Sequence, residues 1–194
     1  IHLKEVMAIS TEKFENIKSK IQQFIDEEMI ADENSFDLSH KFADHLPFLE
    51  EKRNKVREMG LFTPQIPKNH GGLGLSLYQL GQIYEILGQT FYGLYVFNCQ
   101  APDAGNMEIL MEHGTEYQKE NFLNPLVTGK ARSCFSMTEP DYAGSNPIMM
   151  GTTAIKDGSN YVINGHKWFT SSADGADFAI AMVITDSENP NPYM

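Results

Sequence analysis

Cysteine is scarce in this chain: Cys99 and Cys134 are the two present among 194 residues, too few for a disulfide framework. Cys134 sits in an apolar, strand-like run and Cys99 in Val96-Phe97-Asn98-Cys99, so both read as packed thiols and not as nucleophiles. No C-x-x-C occurs, and the six histidines show no ligand spacing, so no metal site is expected. Positive charge is also short. Fifteen Lys and Arg against 26 Asp and Glu give a formal net charge of -11, and a chain without a dense basic face is a poor partner for nucleic acid. An anionic small molecule held by backbone amides and a few local cations stays open. No apolar run approaches the length of a membrane span. The N-terminal Ile1-His2-Leu3-Lys4-Glu5-Val6 lacks the apolar core of a signal peptide. The expectation is a soluble protein of a reducing compartment, not secreted, with Met7 as a candidate natural start.

What is present is enough apolar material for a packed core: 41% hydrophobic residues, with 12 Phe and 8 Tyr. The period of that material changes along the chain. From residue 11 to about 126 it is helical, with Phe14, Ile17, Ile21, Phe24 and Ile25 on one face behind a Ser10 or Thr11 cap. A second helix is expected over 47–59, stopped by Gly60. Prolines and glycines between 61 and 74 then demand a shaped loop. Ser76 opens a further helix with Leu77, Leu80, Ile83, Tyr84 and Leu87 on its buried side, and 92–99, 106–111 and 116–126 read as helical.

From residue 131 the period becomes two. Asp157-Gly158 and Asn164-Gly165 are hairpin turn signals, flanked by expected strands at 152–156, 161–163 and 167–171, with another at 179–184. The fold class expected is α+β: an all-helical N-terminal domain over 1–129, then an incomplete antiparallel β-domain over 130–194. The Asn189-Pro190-Asn191-Pro192 segment reads as a loop between strands, so the sheet is expected to be unfinished.

Thr138-Glu139-Pro140 is the first candidate site: a strand ending in a hydroxyl and an upturned loop offers backbone N–H groups and one Oγ to a planar ligand. The plainer reading is a strand terminus in which Thr138 bonds its own turn. Ala143-Gly144-Ser145-Asn146 adds a tight turn with donors, suited to a phosphate or a carbonyl, or simply a turn. In Lys167-Trp168-Phe169-Thr170-Ser171-Ser172, adjacent aromatics on a strand face opposite ways, one into the core and one towards a ring ligand, or both serve packing. His70, His113 and His166 read as solvated or turn-bonded, Glu139 as solvating or capping, and Asp26-Glu27-Glu28 as a solvated helix end.

In combination these pieces are specific. M-T-E-P, A-G-S, a hairpin, N-G-x-K and an aromatic run, in that order behind a helical domain, resemble the acyl-CoA dehydrogenase family. Glu58-Met59-Gly60-Leu61-Phe62, Pro67 with Gly71-Gly72-Leu73-Gly74, and Gly114-Thr115-Glu116-Tyr117-Gln118-Lys119 match it upstream. Asn98-Cys99-Gln100-Ala101-Pro102-Asp103, with Gly105-Asn106-Met107-Glu108, is similar to the branch containing family members ten and eleven.

The resemblance implies FAD as cofactor and an acyl-CoA thioester as substrate, desaturated between Cα and Cβ with hydride passing to flavin N5. It implies cofactor contacts at Phe135, Met137, Thr138, Gly144, Ser145, Phe169 and Ser171, with Ser145 also near the substrate. It further implies an electron-accepting flavoprotein partner and a homodimer or homotetramer, in a bacterial cytoplasm, a mitochondrion or a peroxisome. The catalytic glutamate and a C-terminal helical domain are expected outside this chain, which alone would then be inactive. Three positions depart from the family pattern: Asn146 stands where A-G-S-D has its acid, and Phe169 and Ser171 stand where K-x-W-x-T has Trp and Thr. A related flavoprotein oxidase or monooxygenase, and a non-catalytic helical and β binding module, remain as alternatives.

Overall fold

The structure is a computed structural model and describes residues 9–33, 39–144 and 146–189. Its first helix, α1 (Thr11–Phe24), is capped by the Ser10 hydroxyl, which accepts from the Lys13 N–H, and buries Phe14, Ile17, Ile21 and Phe24. That is the expected face. The helix runs on through a π-helical turn at Ile25–Ile30 into α2 (Ala31–Glu33). Glu28 on that turn accepts from Lys52 and Lys55, and Asp32 accepts from Lys52. Part of the acidic run is therefore paired and not merely solvated.

The next helix, α3 (Phe42–Glu58), starts five residues before the expected 47. Asp44 accepts from the Lys41 N–H and starts it early, and Pro47 is carried inside it without an N–H for the ladder. Then come α4 (Leu77–Leu87), capped reciprocally by Ser76 and Gln79, and α5 (Gly93–Val96), much shorter than the expected 92–99. Asn98 ends α5 because its backbone is left-handed, at φ 57°. Behind it lie α6 (Asp103–His113), α7 (Glu116–Gln118), a π-helical turn at Lys119–Leu123 and α8 (Asn124–Val127). Leu77, expected inward, is 76% exposed, and the buried residues of α4 are Gln79, Ile83, Ile86 and Leu87.

Two cores result. Phe14, Ile21, Leu49, Val56, Ile83 and Phe97 belong to one core formed among α1, α3, α4 and α5. Ile66, Met107, Leu110, Leu123 and Leu126 form the other, and Phe178 and Ile180 of the β region pack against it. Between them lies a buried polar hub. Arg53 donates to the Tyr95 carbonyl at 2.5 Å and to Asn98 Oδ1 at 3.2 Å, while Asn98 Nδ2 donates to Thr63 Oγ1 and the Leu126 carbonyl. Arg53 also stacks over Phe62 and Tyr95. Gly129 (φ 69°) passes so close to this stack that a Cβ would fall 2.5 Å from Arg53 Nη2.

Among the described residues the β region has four strands: β1 (Ser133–Ser136), β2 (Thr153–Asp157), β3 (Asn160–Asn164) and β4 (Phe178–Ala181). β2 and β3 form the antiparallel hairpin expected at Asp157-Gly158. β1 and β4, however, pair in parallel, with Ser133 opposite Phe178 and Ser136 opposite Ala181. The whole hairpin lies between them in sequence, and such a long connection returns the chain in the same direction. The Asn164-Gly165 signal is not a second hairpin. Gly165 is where the chain presses against Thr152, whose Oγ1 would lie 2.2 Å from an added Cβ. Residues 167–171 form no strand, since Phe169 (φ 49°) and Ser172 (φ 65°) turn the backbone left-handed. Both cysteines are free and buried. No described helix is long and apolar enough to cross a membrane.

Candidate functional site

β1 is gripped at its entrance by a reciprocal pair: the Arg132 N–H donates to Asp177 Oδ2 and the Asp177 N–H donates to the Arg132 carbonyl, both at 2.8 Å. The strand then delivers Met137, Thr138 and Glu139 to one end of the β region. There Glu139 turns inward, only 4% exposed. Its carboxylate accepts from the Gly151 N–H at 2.5 Å, the Thr152 N–H at 3.0 Å and Lys167 Nζ at 2.8 Å. Burial alone pushes this carboxyl up, but the bonds from Lys167 and from the Gly151 and Thr152 amides outweigh it and hold it at about 2. Glu139 is thus a buried anchor, not the solvating or capping group its sequence context suggests.

Lys167 also donates to the Met137 carbonyl at 2.9 Å, and the Trp168 N–H donates to the Thr138 carbonyl at 3.0 Å. The M-T-E-P and N-G-x-K segments, far apart in sequence, are therefore one structural unit. Within it Thr138 is half-buried, and among the described residues its hydroxyl has no hydrogen-bond partner. Gly144 lies against it, and an added Cβ would fall 2.7 Å from Thr138 Cγ2. Phe135 on β1 and Met137 just beyond its end are half-buried as well. Ser145, the remaining loop candidate, lies outside the described residues.

Phe169 and Ser171 stand apart from this arrangement. Phe169 is 81% exposed, with its ring 4.8 Å from that of Trp168. Ser171 is exposed too, and it is Thr170 whose Oγ1 meets Ser136 Oγ at 3.1 Å. The left-handed turn at Phe169 moves the hydroxyl facing β1 one position earlier than the K-x-W-x-T spacing predicts. Thr170, Lys167 and Glu139 are the residues that reading the sequence undervalued. The hydroxyl and charged side chains were visible, but their meeting depends on turns with no local signature.

The arrangement can hold a flat ligand: a strand end with a hydroxyl to donate, a glycine that permits close approach, and exposed rings of Trp168 and Phe169 nearby. An open groove of about 590 Å³ between α1 and α4, lined by Lys18, Gln22, Gln82 and Gln89 among others, shares no residue with it. Among the described residues no cluster of His, Cys, Asp and Glu is set to hold a metal.

Comparison with known proteins gives this unit a context. The acyl-CoA dehydrogenase N-terminal domain family matches residues 11–130 and the acyl-CoA dehydrogenase middle domain family matches residues 134–193. The chain is 36% identical over 186 residues to acyl-CoA dehydrogenase family member 11 of Gallus gallus, covering 91% of this chain and 23% of that protein. It is 37% identical over 160 residues to acyl-CoA dehydrogenase family member 10 of Mus musculus, covering 78% of this chain and 15% of that one. A solved structure from Mycobacterium abscessus, assigned to the acyl-CoA dehydrogenases, superimposes with a TM-score of 0.84 at 32% identity, over 95% of this chain and 49% of the other. The chain thus spans less than a quarter of those two curated relatives and about half of that solved chain. On these matches the chain belongs to the acyl-CoA dehydrogenase family.

Proposed function

We propose that the chain is the helical domain (1–129) and part of the middle β-domain (130–194) of a FAD-dependent acyl-CoA dehydrogenase. The observation that carries this reading is the Glu139–Lys167 pair, which holds Thr138 at a strand end with an unengaged hydroxyl and Gly144 against its methyl group. These residues fit a flavin. A flat ring edge with carbonyl and nitrogen acceptors needs donors in a fixed array, and a close approach that only glycine permits. When bound, FAD would supply the two-electron acceptor for desaturation of an acyl-CoA thioester between Cα and Cβ. The match to the acyl-CoA dehydrogenase middle domain supports the assignment, and a solved glutaryl-CoA dehydrogenase in complex with FADH2 shares the fold.

In this reading Thr138 Oγ and nearby amides donate to the ring edge, while Phe135 and Met137 line its flank and exclude water. Gly144 would border both cofactor and substrate, and the family resemblance gives the same role to Ser145, which lies outside the described residues. The exposed Phe169 ring would offer a face to the cofactor, and of the hydroxyls at 170 and 171 it is Thr170, bonded to Ser136, that faces β1. Glu139, committed to Lys167, Gly151 and Thr152, would not be the base, and the carboxylate that would take the Cα proton is assigned to a segment outside this chain. An electron-accepting flavoprotein and a homo-oligomeric assembly complete the proposal. The test is to purify the whole protein and measure bound FAD, then repeat with Thr138→Val. One FAD per subunit, weakened in the variant, is expected; a protein that neither co-purifies with FAD nor takes it up overturns the reading.

A further inference from the structure

Asp103, Asn106 and Ser133 are 2%, 1% and 0% exposed, and all three are polar. Asp103 and Asn106 belong to the segment similar to the branch of members ten and eleven, and the flavin-loop reading gives them no part. The structure does. Asp103 Oδ1 accepts from the Ser133 N–H at 2.7 Å and from Ser133 Oγ at 2.6 Å, and Asp103 Oδ2 accepts from Gln100 Nε2. Asn106 Nδ2 donates to Ser133 Oγ at 2.9 Å and to the Cys134 carbonyl at 3.1 Å. Two residues in the first turns of α6 thus seize the first two residues of β1.

A core built for stability alone would fill this position with aliphatic side chains, since burying a carboxylate and an amide costs free energy that only well-made hydrogen bonds return. What hydrogen bonds add is position. Ser133 is where β1 begins to pair with β4, opposite Phe178. A slip of one residue there would turn Phe135 and Met137 to the opposite face. β1 runs from Ser133 to Ser136, rising about 3.3 Å per residue, and Thr138 follows shortly beyond its end. That end is fixed independently by Glu139 and Lys167.

We propose that Asp103, Asn106 and Ser133 are positioning residues that set the height of the Thr138 loop relative to the helical domain, and so the fit of the flavin edge to its donors. The inference rests on the reading that this loop receives FAD. It assigns to the helical domain a direct role in cofactor placement, transmitted through β1.

The experiment uses the whole protein with its bound flavin, and compares Asp103→Asn and Ser133→Ala with Leu49→Ala. Leu49 is fully buried in the helical core and takes no part in the Asp103–Asn106–Ser133 hydrogen bonds, so its truncation serves as the control for lost stability. FAD affinity, visible circular dichroism of the bound flavin, melting temperature and amide hydrogen exchange over residues 136–139 are measured for each. Asp103→Asn and Ser133→Ala should weaken FAD binding about tenfold, alter the flavin dichroism and speed exchange at 136–139 about tenfold. Leu49→Ala should lower the melting temperature and leave the dichroism unchanged. The proposal is overturned if the Asp103 and Ser133 variants behave as Leu49→Ala does. If the unmodified protein binds no FAD, the flavin reading fails, and exchange at 136–139 decides the positioning role by itself. Faster exchange than in Leu49→Ala supports it, and equal exchange overturns it.

Discussion

Lys167 Nζ lies 2.8 Å from Glu139 Oε1 and 2.9 Å from the Met137 carbonyl oxygen, with both charged side chains shielded from water. One ammonium group therefore closes the Met137–Glu139 corner and ties it to the chain that returns after the hairpin.

Removing the cation should be costly. Lys167→Met leaves a buried carboxylate with two amide donors and no counter-charge, a loss of about 3 to 5 kcal/mol. Chemical denaturation of the whole protein measures it. Adding Glu139→Gln to Lys167→Met should restore part of that loss, because the unpaired charge disappears with the carboxylate.

Acid should expose the same pair. The Glu139 carboxyl is held at about 2, below its ordinary 4.5, so the folded state binds its proton less readily than the unfolded state. Its stabilisation is complete above pH 4.5 and is lost as pH falls towards 2. The stability difference between the unmodified protein and Glu139→Gln should stay level above that window and shrink within it. A difference that stays constant through the window would show that Glu139 does not carry the charge assigned to it.

Gly144→Ala probes the approach of the loop to Thr138. The new Cβ would meet Thr138 Cγ2 at 2.7 Å, which forces the loop or the threonine aside. FAD retention on a desalting column should fall while the melting temperature of the apoprotein changes little, since Gly144 lies outside both hydrophobic cores. Thr138→Val removes one donor and keeps the shape, and should weaken FAD binding by about tenfold or less.

Asn98→Ala tests the polar hub between the two cores. Asn98 is left-handed at φ 57° and bonds Arg53, Thr63 and the Leu126 carbonyl. Alanine loses all three bonds and tolerates that backbone poorly, so stability should fall by on the order of 3 kcal/mol. Asn98→Gly keeps the backbone freedom and should lose less.

Much of this architecture is legible in the sequence, and the exceptions share a cause. The face of α1 and the hairpin at Asp157-Gly158 follow from periodicity and turn chemistry, which are local. Leu77 follows the same helical pattern yet is exposed, while Gln79 in the same turn is buried and donates to the Ile9 carbonyl. Gly165 looks like a turn residue, but its small size serves a contact with Thr152 that no short window contains. The parallel pairing of β1 with β4 and the meeting of Glu139 with Lys167 likewise join segments separated by the hairpin. The family-like motifs mark which segments matter. Their geometry comes from tertiary contacts, and the left-handed turn at Phe169 carries Thr170 to the place where spacing expects Ser171.

The central claim, a flavin loop serving acyl-CoA desaturation, is tested most directly by anaerobic mixing of the whole purified protein with saturated acyl-CoA thioesters of graded length, following flavin absorbance and enoyl-CoA together. The account predicts bleaching of the flavin with one at least, one enoyl-CoA formed per flavin reduced, and slower bleaching in Thr138→Val. A protein that binds FAD but is reduced by none of these thioesters, or a Thr138→Val variant that binds FAD and is reduced just as the unmodified protein is, would contradict it.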